Sequence, residues 1–176
     1  NLSKKERKMR TNIIKYLNPR QRGKQQLTSK NILDINVMLW NKIWRMDIIR
    51  KYNIRFPDGC EHDDGAFFQM YFCMADTIFI THKRLYHYVW RADSITSSQY
   101  NNNPKNKYDN LKVANYVFNF LLQNQAFPKH SLTMTKIFFN CIRYVQRYHL
   151  LSPEELVAFC ADFNTKISNV LRQQVC

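Results

Sequence analysis

Acidic side chains are concentrated in one short stretch of an otherwise basic chain. Four of its thirteen Asp and Glu residues, Asp58, Glu61, Asp63 and Asp64, fall between positions 58 and 64. Carboxylates held this close repel one another, so such a group usually serves a bound cation, a proton transfer or a helix N-terminus. Asp63 and Asp64 also stand at the predicted start of a helix that runs to about Ala75, where unpaired N–H groups and the helix dipole stabilise acids. Catalysis and helix capping are therefore two alternative roles for Asp63 and Asp64.

The secondary structure predicted around these acids consists of short helices and short strands. Residues 32–52 are compatible with one long helix or with a buried strand followed by a short helix, because periodicity does not separate the two. In the helix that begins at Asp63, four apolar residues recur at helical spacing and are predicted to face the core: Phe67, Met70, Tyr71 and Met74. Two β-branched and aromatic runs, 77–80 and 85–90, predict short strands.

The last third of the chain predicts three amphipathic helices. The third helix opens with Ser152-Pro153-Glu154-Glu155, a capping box with proline at the first helical position. The fold class is therefore α+β and mostly α. We divide the chain into a basic N-terminal arm (1–30), a mixed segment that carries the acids (31–103) and a C-terminal helical region (104–176).

The positive charge is uneven. Residues 1–30 hold ten Lys and Arg and one acid, a net charge of +9 out of the +14 of the whole chain. Such an arm can meet the phosphates of nucleic acid, anionic lipid head groups or the diphosphate of a sugar nucleotide, or can simply be a solvated surface. The five cysteines form no CxxC pair, which predicts reduced thiols and a cytoplasmic location. No apolar run is long enough to span a bilayer, and the start at Asn1 suggests a processed product or an excerpt.

A series of short motifs follows in a fixed order along residues 38–98. The series is Trp40-Asn41-Lys42-Ile43-Trp44-Arg45, Ile54-Arg55-Phe56-Pro57-Asp58-Gly59, His62-Asp63-Asp64, Ala75-Asp76-Thr77-Ile78, Leu85-Tyr86-His87-Tyr88 and Arg91-Ala92-Asp93-Ser94-Ile95-Thr96. It resembles the C-terminal half of family 2 glycosyltransferases that build bacterial capsule and lipopolysaccharide. The resemblance covers a little over a third of the chain and rests on the ordered set rather than on any single motif.

The resemblance implies a fold and a reaction. The fold is the C-terminal portion of a GT-A-like domain, followed here by the helical region. The reaction is inverting sugar transfer from a nucleotide-diphospho-sugar to a glycan or lipid-linked acceptor. The second acid of the family's pair acts as general base on the acceptor hydroxyl, which assigns that role to Asp64. Asp63 stands where the family usually has Glu, and Glu61 lies outside the motif.

The resemblance also implies substrate-binding residues. Trp40 and Lys42, with Trp44, would lie on the acceptor side, although packing is an alternative for both tryptophans. Arg91 and Ser94 would lie in a loop over the donor diphosphate or, alternatively, at a solvated strand end. His62 could orient an acid or be a surface residue.

The family's nucleotide-binding half has no counterpart before residue 38. That half carries an Asp-x-Asp motif for Mn²⁺ or Mg²⁺, and here neither this motif nor a glycine-rich phosphate loop precedes the matched segment. We therefore expect the cation of the full enzyme to have its ligands outside this chain, and the chain alone to be inactive. His82 and His87 lack zinc-ligand spacing with any Cys or acid, so no metal ligand is assigned here.

The expected partners are a nucleotide-diphospho-sugar and a glycan acceptor. An anionic surface on the inner face of the cytoplasmic membrane and a second copy of the chain are further expectations. Two other classes of function stay open: a basic helical nucleic-acid-binding protein and a non-catalytic interaction module. The sequence argues against nucleic acid because its aromatic residues fall in core stripes and no reading motif is present.

Overall fold

Helices dominate the fold. The computed structural model describes residues 22–28, 31–32, 35–60, 62–81, 83, 85–86, 108–147 and 150–173. Within these ranges the elements are, in chain order, β1 (Gly23–Gln26), α1 (Met46–Lys51), α2 (Asp63–Met74), β2 (Thr77–Ile80), α3 (Asp109–Gln123), α4 (Phe127–Arg147) and α5 (Pro153–Gln173). The α+β, mostly α class expected from the sequence is confirmed.

The two strands form one antiparallel pair. Gly23 lies opposite Ile80 and Gln26 opposite Thr77, and the Leu27 amide extends the pairing by donating to the Asp76 carbonyl at 2.8 Å. The β2 strand was predicted. The β1 strand was not, because it lies in the polar segment that we assigned to the basic arm.

Three details of the mixed segment correct or complete the sequence prediction. Residues 36–45 are irregular, so both alternatives for residues 32–52, one long helix and a buried strand before a short helix, are wrong, although a short helix is present as α1. Leu85 and Tyr86, expected to begin a second strand, lie in irregular backbone. The rest of that expected strand, 87–90, lies outside the described residues.

The α2 helix is the centre of the core. Its buried side chains point in all directions and are Ala66, Phe67, Phe68, Met70, Tyr71, Phe72 and Cys73. A helix that is apolar all round must be covered on every side. Residues 36–56, which include α1, lie against one side of α2, and α3 lies against another.

The three C-terminal helices pack through aromatic residues. Phe163 of α5 is buried and contacts Phe118 of α3, with ring centroids 5.4 Å apart, and Phe138 of α4, at 4.2 Å. The predicted capping box begins α5: the Ser152 amide donates to Glu155 at 2.9 Å, and the Glu155 amide donates to the Ser152 hydroxyl at 3.2 Å. The three predicted helices are thus confirmed.

Candidate active site

The acidic pair occupies the first turn of α2. The His62 carbonyl begins the helix by accepting from the amides of Gly65, at 3.1 Å, and Ala66, at 3.3 Å. Asp63 Oδ1 accepts from the Asp64 amide at 2.8 Å, and Asp64 Oδ1 accepts from the Gly65 amide at 2.7 Å. Both carboxylates therefore satisfy backbone donors of the kind that helix N-termini leave unpaired. One carboxylate oxygen of each acid is therefore engaged in a hydrogen bond to a backbone amide of the first helical turn.

Asp64 is in an environment that favours its protonated form. Burial is the largest cause of its raised pKa, and the charge of Asp63 acts in the same direction. The Gly65 amide and His62 act the other way without cancelling the rise. A carboxyl whose pKa is moved upward is better suited to accept a proton near neutral pH than an ordinary surface aspartate. A helix N-terminus alone would lower the pKa of Asp64, so its burial and the charge of Asp63 act against that effect.

Space is open next to the pair. Apart from the two chain neighbours of Gly65 and the backbone of its own helix, no atom of the described residues lies within 4 Å of a methyl group added there. Gly65 follows Asp64 directly and lies in the same helical turn. The first turn of α2 can therefore be approached on the side of Gly65 by a molecule from outside the chain.

His62 lies between the acids and the helical region. Its ring packs edge-on against Tyr144 of α4, with centroids 5.7 Å apart, and the residue is partly buried. Its charge when protonated would lower the pKa of Asp64. Tyr144 was not singled out from the sequence. No local signal could have found it, because the two residues are brought together only by the packing of α4 near α2.

Lys42 is held by the loop that contains it. Its ammonium donates to the carbonyl oxygens of Asn36 and, at 2.7 Å, Met38, and to Asn41 Oδ1 at 2.7 Å. Three oxygens match the three N–H groups of an ammonium. The same nitrogen lies 5.3 Å from the centre of the Phe68 ring. Burial lowers the pKa of Lys42 to about 8, and among the described residues no carboxylate forms an ion pair with this ammonium.

The two tryptophans have different surroundings. Trp44 donates to the Leu39 carbonyl at 3.3 Å and packs edge-on against Phe67, Tyr71 and Phe72 of α2. Trp40 instead stacks on Tyr86, with centroids 4.7 Å apart. Trp44 therefore fixes the loop to α2, whereas Trp40 connects it to the chain that follows β2.

A second polar group consists of Cys60, just before the acids, and of Asp109 and Lys112 at the start of α3. The Cys60 thiol donates to the Asp109 carbonyl at 3.6 Å, and the charges of Asp109, Lys112 and Asp63 all reach this thiol. Asp109 is buried at the first residue of α3 and pairs with Lys112 at 2.7 Å. The N-terminus of α3 therefore lies next to that of α2. Asp109 and Lys112 were not singled out from the sequence, because the contact with Cys60 joins residues far apart in the chain.

The expected residues that the structure describes lie at two places on α2. His62, Asp63 and Asp64 are contiguous, and Lys42 lies over Phe68, one helical turn beyond Asp64 on the same face of α2. Arg91 and Ser94, expected near the donor diphosphate, lie outside the described residues, as does Glu61. Within the described ranges, no three His, Cys, Asp or Glu side chains form a group that could hold a metal ion.

Comparisons with known proteins add no relative: the chain matches no protein-family model, no curated protein and no solved structure. In the described part of the chain, no helix is both long and apolar enough to cross a membrane.

Proposed function

We propose that this chain is the acceptor-side and C-terminal part of an inverting family 2 glycosyltransferase with a GT-A-like catalytic domain. The observation that carries the proposal is Asp64, a partly buried carboxyl with a raised pKa beside open space at the start of α2. The ordered motifs of residues 38–98 supply the class of reaction. Bacterial capsule or lipopolysaccharide synthesis is the setting that this class implies.

In the proposed reaction the acceptor is a sugar hydroxyl, which is a weak nucleophile. Its oxygen forms a bond to the anomeric carbon of the donor while the bond from that carbon to the diphosphate breaks. The hydroxyl proton passes to Asp64, and the nucleoside diphosphate leaves with the electron pair. A positioned base of this kind contributes about 10²–10⁴-fold to the rate.

The neighbours of Asp64 have supporting roles in this proposal. Burial is the main cause of the raised pKa of Asp64; the charge of Asp63 adds to the rise, and His62 opposes it. Lys42 acts by shaping the loop on the acceptor side, since its ammonium is already bonded to three oxygens of the same loop. We place Trp40 on the acceptor side as well, where its stack with Tyr86 would present an aromatic surface to a sugar ring.

The Mn²⁺ or Mg²⁺ that the family uses does not fit the described residues. One oxygen each of Asp63 and Asp64 is taken by a backbone amide, and no third ligand is grouped with them. No step is therefore assigned to a cation in this chain. In the proposal the cation and the nucleotide are bound by protein that precedes residue 1.

Two observations test the proposal together. The gene upstream of Asn1 should encode a βαβ pattern that ends in Asp-x-Asp. The complete protein should release nucleoside diphosphate from at least one UDP-, GDP- or dTDP-sugar in the presence of a glycan acceptor. An upstream sequence without that pattern, together with no release from any of these donors, would reject the glycosyltransferase and favour an interaction module.

A further inference from the structure

The helix α4 carries basic and apolar side chains in one stripe on its outer side. Its buried residues, which include Thr133, Ile137, Cys141 and Val145, face the core. The opposite side carries six residues that we call the outer stripe of α4: Lys129, Leu132, Lys136, Phe139, Arg143 and Arg147. Successive members are three or four residues apart in the chain, so they lie one above another on the helix surface. The outer stripe is therefore about 27 Å long.

Both apolar members of the outer stripe are in contact with solvent. Leu132 is 50% exposed and Phe139 is 58% exposed, and the two are separated by two turns of α4. Among the basic members, Lys136 is partly buried and the other three are exposed. A single exposed leucine or phenylalanine is common on protein surfaces. The alignment of both with four cations is the feature that indicates a binding surface.

The charge of the outer stripe is positive. The α4 helix contains four Lys or Arg residues and no Asp or Glu. Lys129, at one end of the stripe, lies 3.5 Å from the exposed Asp76. Arg143, towards the other end, donates to the side-chain amide oxygen of Asn140, which carries no charge to compensate that of the arginine. A partner that is complementary to this surface must therefore be anionic.

The combination of side chains favours an anionic lipid surface over nucleic acid. Helices that lie on membranes place Phe and Leu at the boundary between head groups and acyl chains, while Lys and Arg bind the anionic head groups. The phosphate backbone of nucleic acid would satisfy the cations but would offer no apolar surface to Leu132 and Phe139. The stripe is also nearly straight, since a seven-residue repeat drifts by only about 20° on an α-helix. Its whole length can therefore meet a flat surface.

We propose that the outer stripe of α4 docks on an anionic membrane surface, with the helix axis parallel to the plane of the membrane. Leu132 and Phe139 enter the head-group layer, and Arg143 and Arg147 lie next to lipid phosphates. This proposal does not depend on sugar transfer, because binding to lipid requires neither donor nor acceptor. It also differs from a contact through the basic arm, because the stripe has a defined geometry in which each residue can be tested.

The first test measures co-sedimentation of the full chain with vesicles of phosphatidylcholine and phosphatidylglycerol. Changing Arg143 and Arg147 together to Gln should weaken partitioning by about 10–30-fold. The control changes Arg50 and Arg55, two exposed arginines outside α4, to Gln and gives the same net charge. The basic arm is present in both proteins, so their difference reports on α4 alone. Lysines at positions 143 and 147 should restore binding. Equal partitioning of the glutamine variant and its control would overturn the proposal.

The second test concerns the apolar contact and keeps the charge constant. Phe139→Ala should weaken partitioning by about 3–10-fold, whereas Phe79→Ala, which removes a 73% exposed ring from β2, should leave it nearly unchanged. Equal partitioning of these two variants would also overturn the proposal. Binding of duplex DNA distinguishes the rival partner. If the change of Arg143 and Arg147 to Gln weakened binding to DNA but not to vesicles, the outer stripe would be a nucleic-acid surface instead.

Discussion

Phe56 stacks on Phe67, with ring centroids 4.3 Å apart and planes 9° from parallel. Phe56 precedes the acids and is 45% exposed, whereas Phe67 is in α2 and is 6% exposed. The pair holds the chain that leads into the acidic segment against the helix that the acids begin. Trp44 packs on the same Phe67 ring at 5.3 Å. Phe67 therefore contacts both Trp44 of the loop and Phe56 of the segment that leads to the acids.

We expect Phe67→Ala to lower the free energy of unfolding by about 3–5 kcal/mol, as is usual when a buried phenylalanine is truncated. The cost arises from the cavity and from the loss of two aromatic partners. Phe139→Ala on α4 is the control, because Phe139 is 58% exposed, and its cost should stay below about 1 kcal/mol. Urea denaturation of the two variants measures the difference. Equal losses would show that Phe67 is not a core residue.

The capping box of α5 gives a second prediction. Ser152→Ala removes the hydroxyl that accepts from the Glu155 amide and should cost about 1 kcal/mol. Ser131→Ala is the control, since its hydroxyl makes only a long contact of 3.4 Å with the Pro128 carbonyl. Thermal unfolding should separate the two variants. A Ser152→Ala protein as stable as the control would mean that α5 begins without help from this residue.

The burial of Lys42 predicts that the free energy of unfolding changes with pH. Its pKa is about 8 in the folded chain and 10.5 as its ordinary value, so between these two pH values the unfolded chain binds the additional proton. Stability then rises with pH across that window. The difference in unfolding free energy between the unaltered protein and Lys42→Met should therefore shift in favour of the unaltered protein from pH 8 to pH 10. A difference that stays constant would contradict burial of this ammonium.

The space beside Gly65 predicts the side from which an acceptor sugar approaches Asp64. Among the described residues, the methyl group of Gly65→Ala meets no atom within 4 Å beyond its chain neighbours and its own helix backbone, so the change should leave transfer by the complete enzyme nearly unchanged. Gly65→Trp fills the same space and should raise the KM for the acceptor much more than the KM for the donor. Steady-state kinetics with each substrate varied in turn would show this. Equal effects on both KM values would place the acceptor elsewhere.

Much of the fold could be predicted because it depends on local patterns. The apolar stripes of α3 and α4 and the Ser152–Glu155 box define helices whose position in the chain hardly depends on the rest of the molecule. The β1 strand could not be predicted. Its sequence, Gly-Lys-Gln-Gln, has no β-branched or aromatic residue, and it is a strand only because it pairs with β2.

The surroundings of the acids were partly predictable. The helix that starts at Asp63 and its position after the Phe-Pro-Asp-Gly segment followed from sequence. Periodicity selected Phe67, Met70 and Tyr71, which are buried, and Met74, which is partly buried. It missed Phe68 and Phe72, because a helix covered on every side has no single apolar stripe. The contacts of His62 with Tyr144 and of Cys60 with Asp109 join residues far apart in the chain, so they required the tertiary structure.

The central claim is that Asp64 accepts the acceptor proton. The most direct test is sugar transfer by the complete enzyme carrying Asp64→Asn, compared with Asp58→Asn, which alters an exposed carboxylate of the same acidic segment. We expect Asp64→Asn to lower kcat by about 10²–10⁴-fold and to abolish the rise of rate with pH through the raised pKa of Asp64, while Asp58→Asn retains both. An Asp64→Asn enzyme with the turnover and pH profile of the Asp58→Asn control would contradict the claim.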